Sequence, residues 1–250
     1  MPMNTRRSRQ FFLIGLAALP LFSALVVYWL MGSAPGGAVP RERYLRAVYV
    51  LQSLGGTAAK EREEIPSRVI TTDATESLRN HPDKIFVLHH LADELAAVRE
   101  ESAKAPLFEA YARISLGELR EAARLLTVYV VENEYNAEHY ALLSRTLHEL
   151  GDASSLLLIC REWRERDAAC LPDRVRFTWA ALYALERYPQ AEEAASAEKA
   201  CLGWSAEVYA AKAHLASQED DADAEVALDA LLKAHPENAI RMRRLWDQIK

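Results

Sequence analysis

Glycine and proline are scarce in this chain, nine and ten of 250 residues, and no long run of alternating β-branched residues occurs. The first scarcity excludes a collagenous or low-complexity polymer, and the missing alternation removes the main signal of half-buried strands. Three cysteines are too few for a disulfide-dense scaffold. The chain lacks a nucleophile elbow, a phosphate-cradling glycine loop, a zinc-protease helix motif, a haem-attachment motif and a Cys-x-x-Cys pair. Nothing in it therefore marks an enzyme, a metal site or a cofactor, and none of the three is expected.

Half of the residues are apolar and 26% charged, the profile of a folded domain, and recurring Ala, Leu and Glu make an all-α fold the economical reading. Net charge is −6, and because residues 1–34 hold three Arg and no acid, the remainder carries 27 basic against 36 acidic side chains. That balance argues against a nucleic-acid partner.

Charge is absent from Phe11 to Met31, 21 residues, close to the roughly 20 needed to cross about 30 Å of hydrocarbon. Arg6, Arg7 and Arg9 crowd the N-terminal edge of this run while the first residues after it are uncharged. The positive-inside rule then places residues 1–10 in the cytoplasm and the rest of the chain across the membrane. Tyr28 and Trp29 suit the outer interface, and Pro20 is tolerated in a membrane helix. Two other readings of the segment are a secretory peptide cut after Gly32-Ser33-Ala34, whose core of about 7–15 residues would be shorter, and a twin-arginine export signal, from which Phe11 stands too far. Gly32 to Pro40 reads as a short tether, and a domain spanning 41–250 follows.

Self-similarity organises that domain. Leu116-Gly117-Glu118 returns as Leu150-Gly151-Asp152, a shift of 34 residues, and Ala110, Leu125, Leu126 and Tyr129 keep step with Ser144, Ile159, Cys160 and Trp163. A period of 34 with a glycine turn resembles the tetratricopeptide repeat family. Leu156 stands where that family usually has Ala. His81-Pro82-Asp83 and His235-Pro236-Glu237 follow apolar-periodic segments as hairpin stops. Helices are expected over 41–54, 66–80, 84–101, 106–116, 119–133, 137–149, 153–167, 172–186, 190–200, 205–217, 222–234 and 237–249. Residues 172–201 read as a degenerate repeat whose glycine turn is replaced by Arg187-Tyr188-Pro189.

The resemblance implies a superhelical stack of antiparallel helix hairpins, a TPR-like solenoid behind one N-terminal transmembrane helix, whose concave groove binds a protein or peptide partner. It also implies that the first helix of each hairpin faces the groove. Tyr111, Arg113 and Arg145 lie off the packing stripe of Ala110, Ile114, Ser144 and Leu147 and are the expected partner contacts, suited to an acidic or carboxylate-bearing peptide. Such a layout fits a single-pass assembly or biogenesis factor of the bacterial inner membrane with its domain in the periplasm. The alternatives are a structural accessory subunit of a larger membrane complex and an import receptor facing a eukaryotic cytosol.

In an oxidising compartment three cysteines leave one over. Cys170 opens one expected helix and Cys201 closes its partner, so these two are expected to pair, with Cys160 free and buried. His89, His90, Asp93 and Glu94 have metal-ligand spacing, but neighbouring histidines diverge by about 100° on a helix, so a polar helix face is the reading adopted. The acidic run from Glu219 to Glu225 lacks the glycine and distal glutamate of a calcium loop and reads as a helix start.

Overall fold

A computed structural model describes residues 40–250 apart from 56, 57, 59–62, 71, 101, 219–222 and 250. The expected membrane span at 11–31 and all but the last residue of the tether lie outside that set, as does much of the acidic run. Among the described residues all regular structure is helical, and no helix is long and apolar enough to cross a membrane. The order is α1 (Pro40–Ser53), α2 (Ser67–Ile70), α3 (Asp73–Asn80), α4 (Lys84–Ala97), α5 (Ala105–Ser115), α6 (Leu119–Glu132), α7 (Ala137–Leu150) and α8 (Ala153–Arg166). There follow α9 (Pro172–Ala184), α10 (Tyr188–Ala197), the short α11 (Lys199–Leu202), α12 (Ser205–Gln218), α13 (Ala224–Ala234), a 3-10 turn (Pro236–Asn238) and α14 (Ala239–Gln248).

Local chemistry sets most of these boundaries. Asp83 caps α4 by accepting from Phe86 N at 3.0 Å, and Asn136 caps α7 by accepting from Glu138 N at 2.8 Å. Asp152 caps α8 through Ser155 N at 3.0 Å and Ser155 Oγ at 2.7 Å, bonds that hold its carboxyl below the usual carboxylate range. Where one helix was expected over 66–80, the chain makes α2 and α3, because Thr72 stops the first and its hydroxyl accepts from Thr75 N to start the second. Similarly, 190–200 divides into the end of α10 and α11.

The same turn closes three successive hairpins. Glu118 N donates to Arg113 O at 2.9 Å, Asp152 N to Leu147 O at 3.0 Å and Arg187 N to Leu182 O at 2.9 Å, the six-to-one bond of a left-handed helix stop. The residue ahead of each donor is left-handed: Gly117 and Gly151, both at φ 77°, and Glu186 at φ 57°. The third turn is therefore Leu185-Glu186-Arg187, two residues earlier than expected, and Tyr188 and Pro189 already belong to α10. A side chain at that backbone angle costs energy that glycine avoids. Glu186→Gly is expected to raise stability by about 0.5–1 kcal/mol. Gly151→Ala, whose new methyl would meet nothing within 4 Å, should lower it by a similar amount through backbone strain alone. Urea midpoints of the two variants moving in the same direction would refute the assignment.

Packing follows chain order. Each of α5 to α9 touches the next helix, and α7 also touches α9, so the first helices of these two hairpins meet. The core lies in three clusters. One runs from Tyr44 to Ala181 and contains Phe108, Tyr140 and Trp163; the second is built around Val175, Trp179, Leu182 and Tyr209; the third joins Val208, Leu228, Met242 and Trp246.

Candidate functional site

The three expected partner contacts have different fates. Tyr111 is 5% exposed, its ring 6.0 Å from that of Phe108, because α1 and α4 both pack on α5 and cover the face that the repeat pattern would leave open. It is a core residue. Arg113 is engaged twice: Nε donates to Glu109 at 2.8 Å and Nη1 to Glu118 at 2.6 Å. Burial of the guanidinium would lower its pKa, but these two carboxylates raise it and fix the charge in place. Arg145, on α7, is exposed and is the member of the trio open to a ligand.

Glu109 is the centre of a network that sequence reasoning missed. Its carboxylate, fully buried, accepts two bonds from Arg99 at 2.6 Å as well as that from Arg113. The pairing with Arg113 follows i,i+4 spacing and was readable. The fork from Arg99 comes from the loop between α4 and α5, to which no spacing rule points. Of the histidine group, His89 faces Glu118 and His90 faces Glu94, each at 3.8 Å, so the four side chains do not converge.

Further along, a cavity of about 680 Å³ opens between α7, α9, α12 and α14. Trp179, Tyr183, Tyr188 and Tyr209 supply rings to its wall, Phe177 and Leu245 add apolar surface, and Arg176, Glu186, His148 and Gln248 bring polar atoms. The Trp179 and Tyr183 rings stack 4.7 Å apart, and Tyr188 meets Tyr183 edge-on at 5.2 Å. Trp179 Nε1 is satisfied by Tyr209 O at 3.1 Å. A volume in the range of roughly 300–1,000 Å³ and a mostly apolar wall are the ordinary features of a ligand site. Helix α9 has two apolar faces, Val175-Trp179-Leu182 and Phe177-Ala180-Ala184, but Phe177 and Ala180 pack against the core, so the second face reads as packing and no sequence signal marks the cavity.

Cys170 and Cys201 form a disulfide with Sγ atoms 2.22 Å and Cα atoms 5.6 Å apart, while Cys160 is free and buried. Glu198 lies beside the pair, with Oε2 3.9 Å from Cys170 Sγ, and its Oε1 pairs with Arg164 at 3.2 Å. Three groups of metal-ligand type thus sit within 4.8 Å, but the two sulfurs bond each other and the carboxylate serves an arginine. Arg174, 3% exposed, holds the loop that carries Cys170 by donating to Asp167 O and to Ala169 O. Burial pushes the Cys160 thiol up to about 11, so it is both covered and protonated at neutral pH. Iodoacetamide is expected to label none of the three cysteines in the native, unreduced protein, and to label Cys170 and Cys201 after mild reduction while Cys160 waits for unfolding. Labelling of both Cys170 and Cys201 without reductant would rule out the bridge in solution.

Comparison of the chain with family models, with curated proteins and with solved structures finds no match.

Proposed function

We propose that the chain is a membrane-anchored protein-interaction scaffold of tetratricopeptide type, whose helical hairpins stack into a solenoid and bind a partner peptide on the face formed by their first helices. The observation that carries this reading is the identical left-handed turn at 118, 152 and 187, spaced 34 and 35 residues apart, together with the contact of α7 with α9. Units repeated at that spacing, each packed on the next, are how such stacks are built. The exposed Arg145 on α7 and the aromatic cavity, whose wall draws Phe177, Trp179 and Tyr183 from α9 and Tyr209 from α12, supply charge and apolar surface for a peptide. The function is recognition rather than catalysis.

The anchor is the uncharged run 11–31, with the N-terminus cytoplasmic and the domain periplasmic at a bacterial inner membrane, as an assembly or biogenesis factor would require. The Cys170–Cys201 bridge supports an oxidising compartment. A tether confines the partner search to the membrane surface and raises effective concentration there.

Two measurements on the full chain in cells test the proposal. A phosphatase fused after Lys250 is expected to be active and a cytosol-dependent fluorescent protein in the same place dark; the reverse result would overturn the topology. A photo-crosslinking residue at Arg145 is expected to capture partner proteins, and one at the exposed Arg161 of α8 is not. Arg145→Ala should weaken capture by roughly 1–3 kcal/mol, the worth of a charge-assisted hydrogen bond. Adducts from Arg161 alone would move the binding surface to the other wall.

A further inference from the structure

Resting on that groove reading, we infer that the cavity between α9, α12 and α14 takes a proline-rich segment of the partner in its polyproline II form. The rings provide the first argument. Trp179 and Tyr183 are near-parallel, 23° between planes, and Tyr188 stands at 65° to Tyr183. Trp179 is buried, packed by Tyr183 and Tyr209, and forms the floor, while the half-buried Tyr183 and Tyr188 make a step against which a pyrrolidine ring packs without needing a deep hole. Aromatic-lined grooves of this kind are the recognition mode for polyproline helices.

Charge gives the second argument. Arg176 and Glu186 are the charged residues in the cavity wall, and Arg176 is already matched by Asp173 at 3.4 Å. The wall thus offers no net cation to an acidic ligand and no cluster of acids to a basic one, and an uncharged apolar segment is its complement. A proline-rich chain arrives with its φ angles already restricted and loses little entropy on docking, and its carbonyls meet donors on Tyr188, Gln248, Arg176 and His148. An acidic flank of the same partner segment would reach Arg145, which lies one helical turn from His148 on α7.

The test uses the full chain in mild detergent and a fluorescein-labelled synthetic peptide of about ten residues built on Pro-Pro-Leu triads, long enough at about 3.1 Å per residue to cross the cavity. Anisotropy is expected to show saturable binding, weakened at least about tenfold by Tyr183→Ala and by Tyr188→Ala and unchanged by Arg161→Ala at an exposed position of α8. Ala184→Trp, at an exposed position on the cavity wall, should abolish binding by filling the space while leaving the melting temperature in place. It keeps the test decisive if loss of a tyrosine loosens the fold. Equal binding of a peptide with alanine for proline, or of an acidic peptide of equal length, overturns the inference, and so does binding that survives Ala184→Trp. Crosslinking from Arg145 separates the two readings. Adducts without proline-peptide binding remove this inference and keep the scaffold; proline-peptide binding without adducts keeps the cavity and removes the scaffold.

Discussion

Glu109→Ala is expected to destabilise the domain by about 3–5 kcal/mol, the loss typical of removing one partner from a buried charge network. Two guanidinium groups, on Arg99 and Arg113, converge on its fully buried carboxylate. Without it they repel each other in a site that water reaches poorly, and the covered end of α5 loses its tie to the loop before it. In thermal unfolding followed by circular dichroism the transition should fall by on the order of 10 °C. Glu109→Gln, which keeps the shape and can still accept hydrogen bonds, should cost less. Exchanging the whole network for apolar residues is a different experiment, because a buried ion set is often no better than a packed hydrophobic one. A loss below about 0.5 kcal/mol for Glu109→Ala, the range of an ordinary surface change, would mean that the network is solvated.

The second large effect is expected at Trp163, the biggest fully buried side chain of the hairpin core at 2% exposure. Its ring stacks on Tyr140 with centroids 5.9 Å apart, and its Nε1 donates to Tyr135 Oη at 3.1 Å. Tyr135 in turn donates to Asp167 Oδ2 at 2.6 Å. Burial and the hydrogen bond it donates to Glu162 push the neighbouring Tyr140 phenol up to about 12, so it stays protonated and keeps that bond. Trp163→Ala opens a cavity in the core, while the exposed Tyr135 hydroxyl keeps its bond to Asp167, so a loss of about 3–5 kcal/mol, mostly from packing, is expected. Trp163→Phe should refill most of the space and lose about 1 kcal/mol through the missing N–H bond. If the two variants unfold at the same urea concentration, hydrogen bonding rather than packing is what the indole contributes.

How much of this was legible depends on the kind of signal. Gly117 and Gly151 were readable as turns because glycine is the residue that takes a left-handed backbone without strain. Their common offset from flanking apolar positions gave the period. The third turn was not readable, since Glu186 occupies the same conformation with a residue that rarely does so. Cys170 and Cys201 were legible from helix ends alone, because a bridge needs only that two chain ends come close. Tyr111 was misplaced for the opposite reason: its exposure depends on what covers α5, and the covering helices α1 and α4 come from residues with no repeat signature. Likewise the aromatic cavity draws Tyr209 and Leu245 from distant parts of the chain. No local pattern in α9 announces the opposite wall.

The division of the core into three clusters, strung along the chain, sets how the molecule comes apart. A single core would release its backbone amides together; here the cluster of Val208, Leu228, Met242 and Trp246 is held by fewer buried side chains than the one spanning Tyr44 to Ala181. Amide protons in α13 and α14 therefore exchange with deuterium before those of α5 to α8, by local opening that leaves the hairpins of α5 to α8 intact. The Cys170–Cys201 bridge lies between the two regimes and limits how far such fraying travels. The molecule is thus loosest around α13 and α14, where the buried cluster is smallest, and a protease meets it there first.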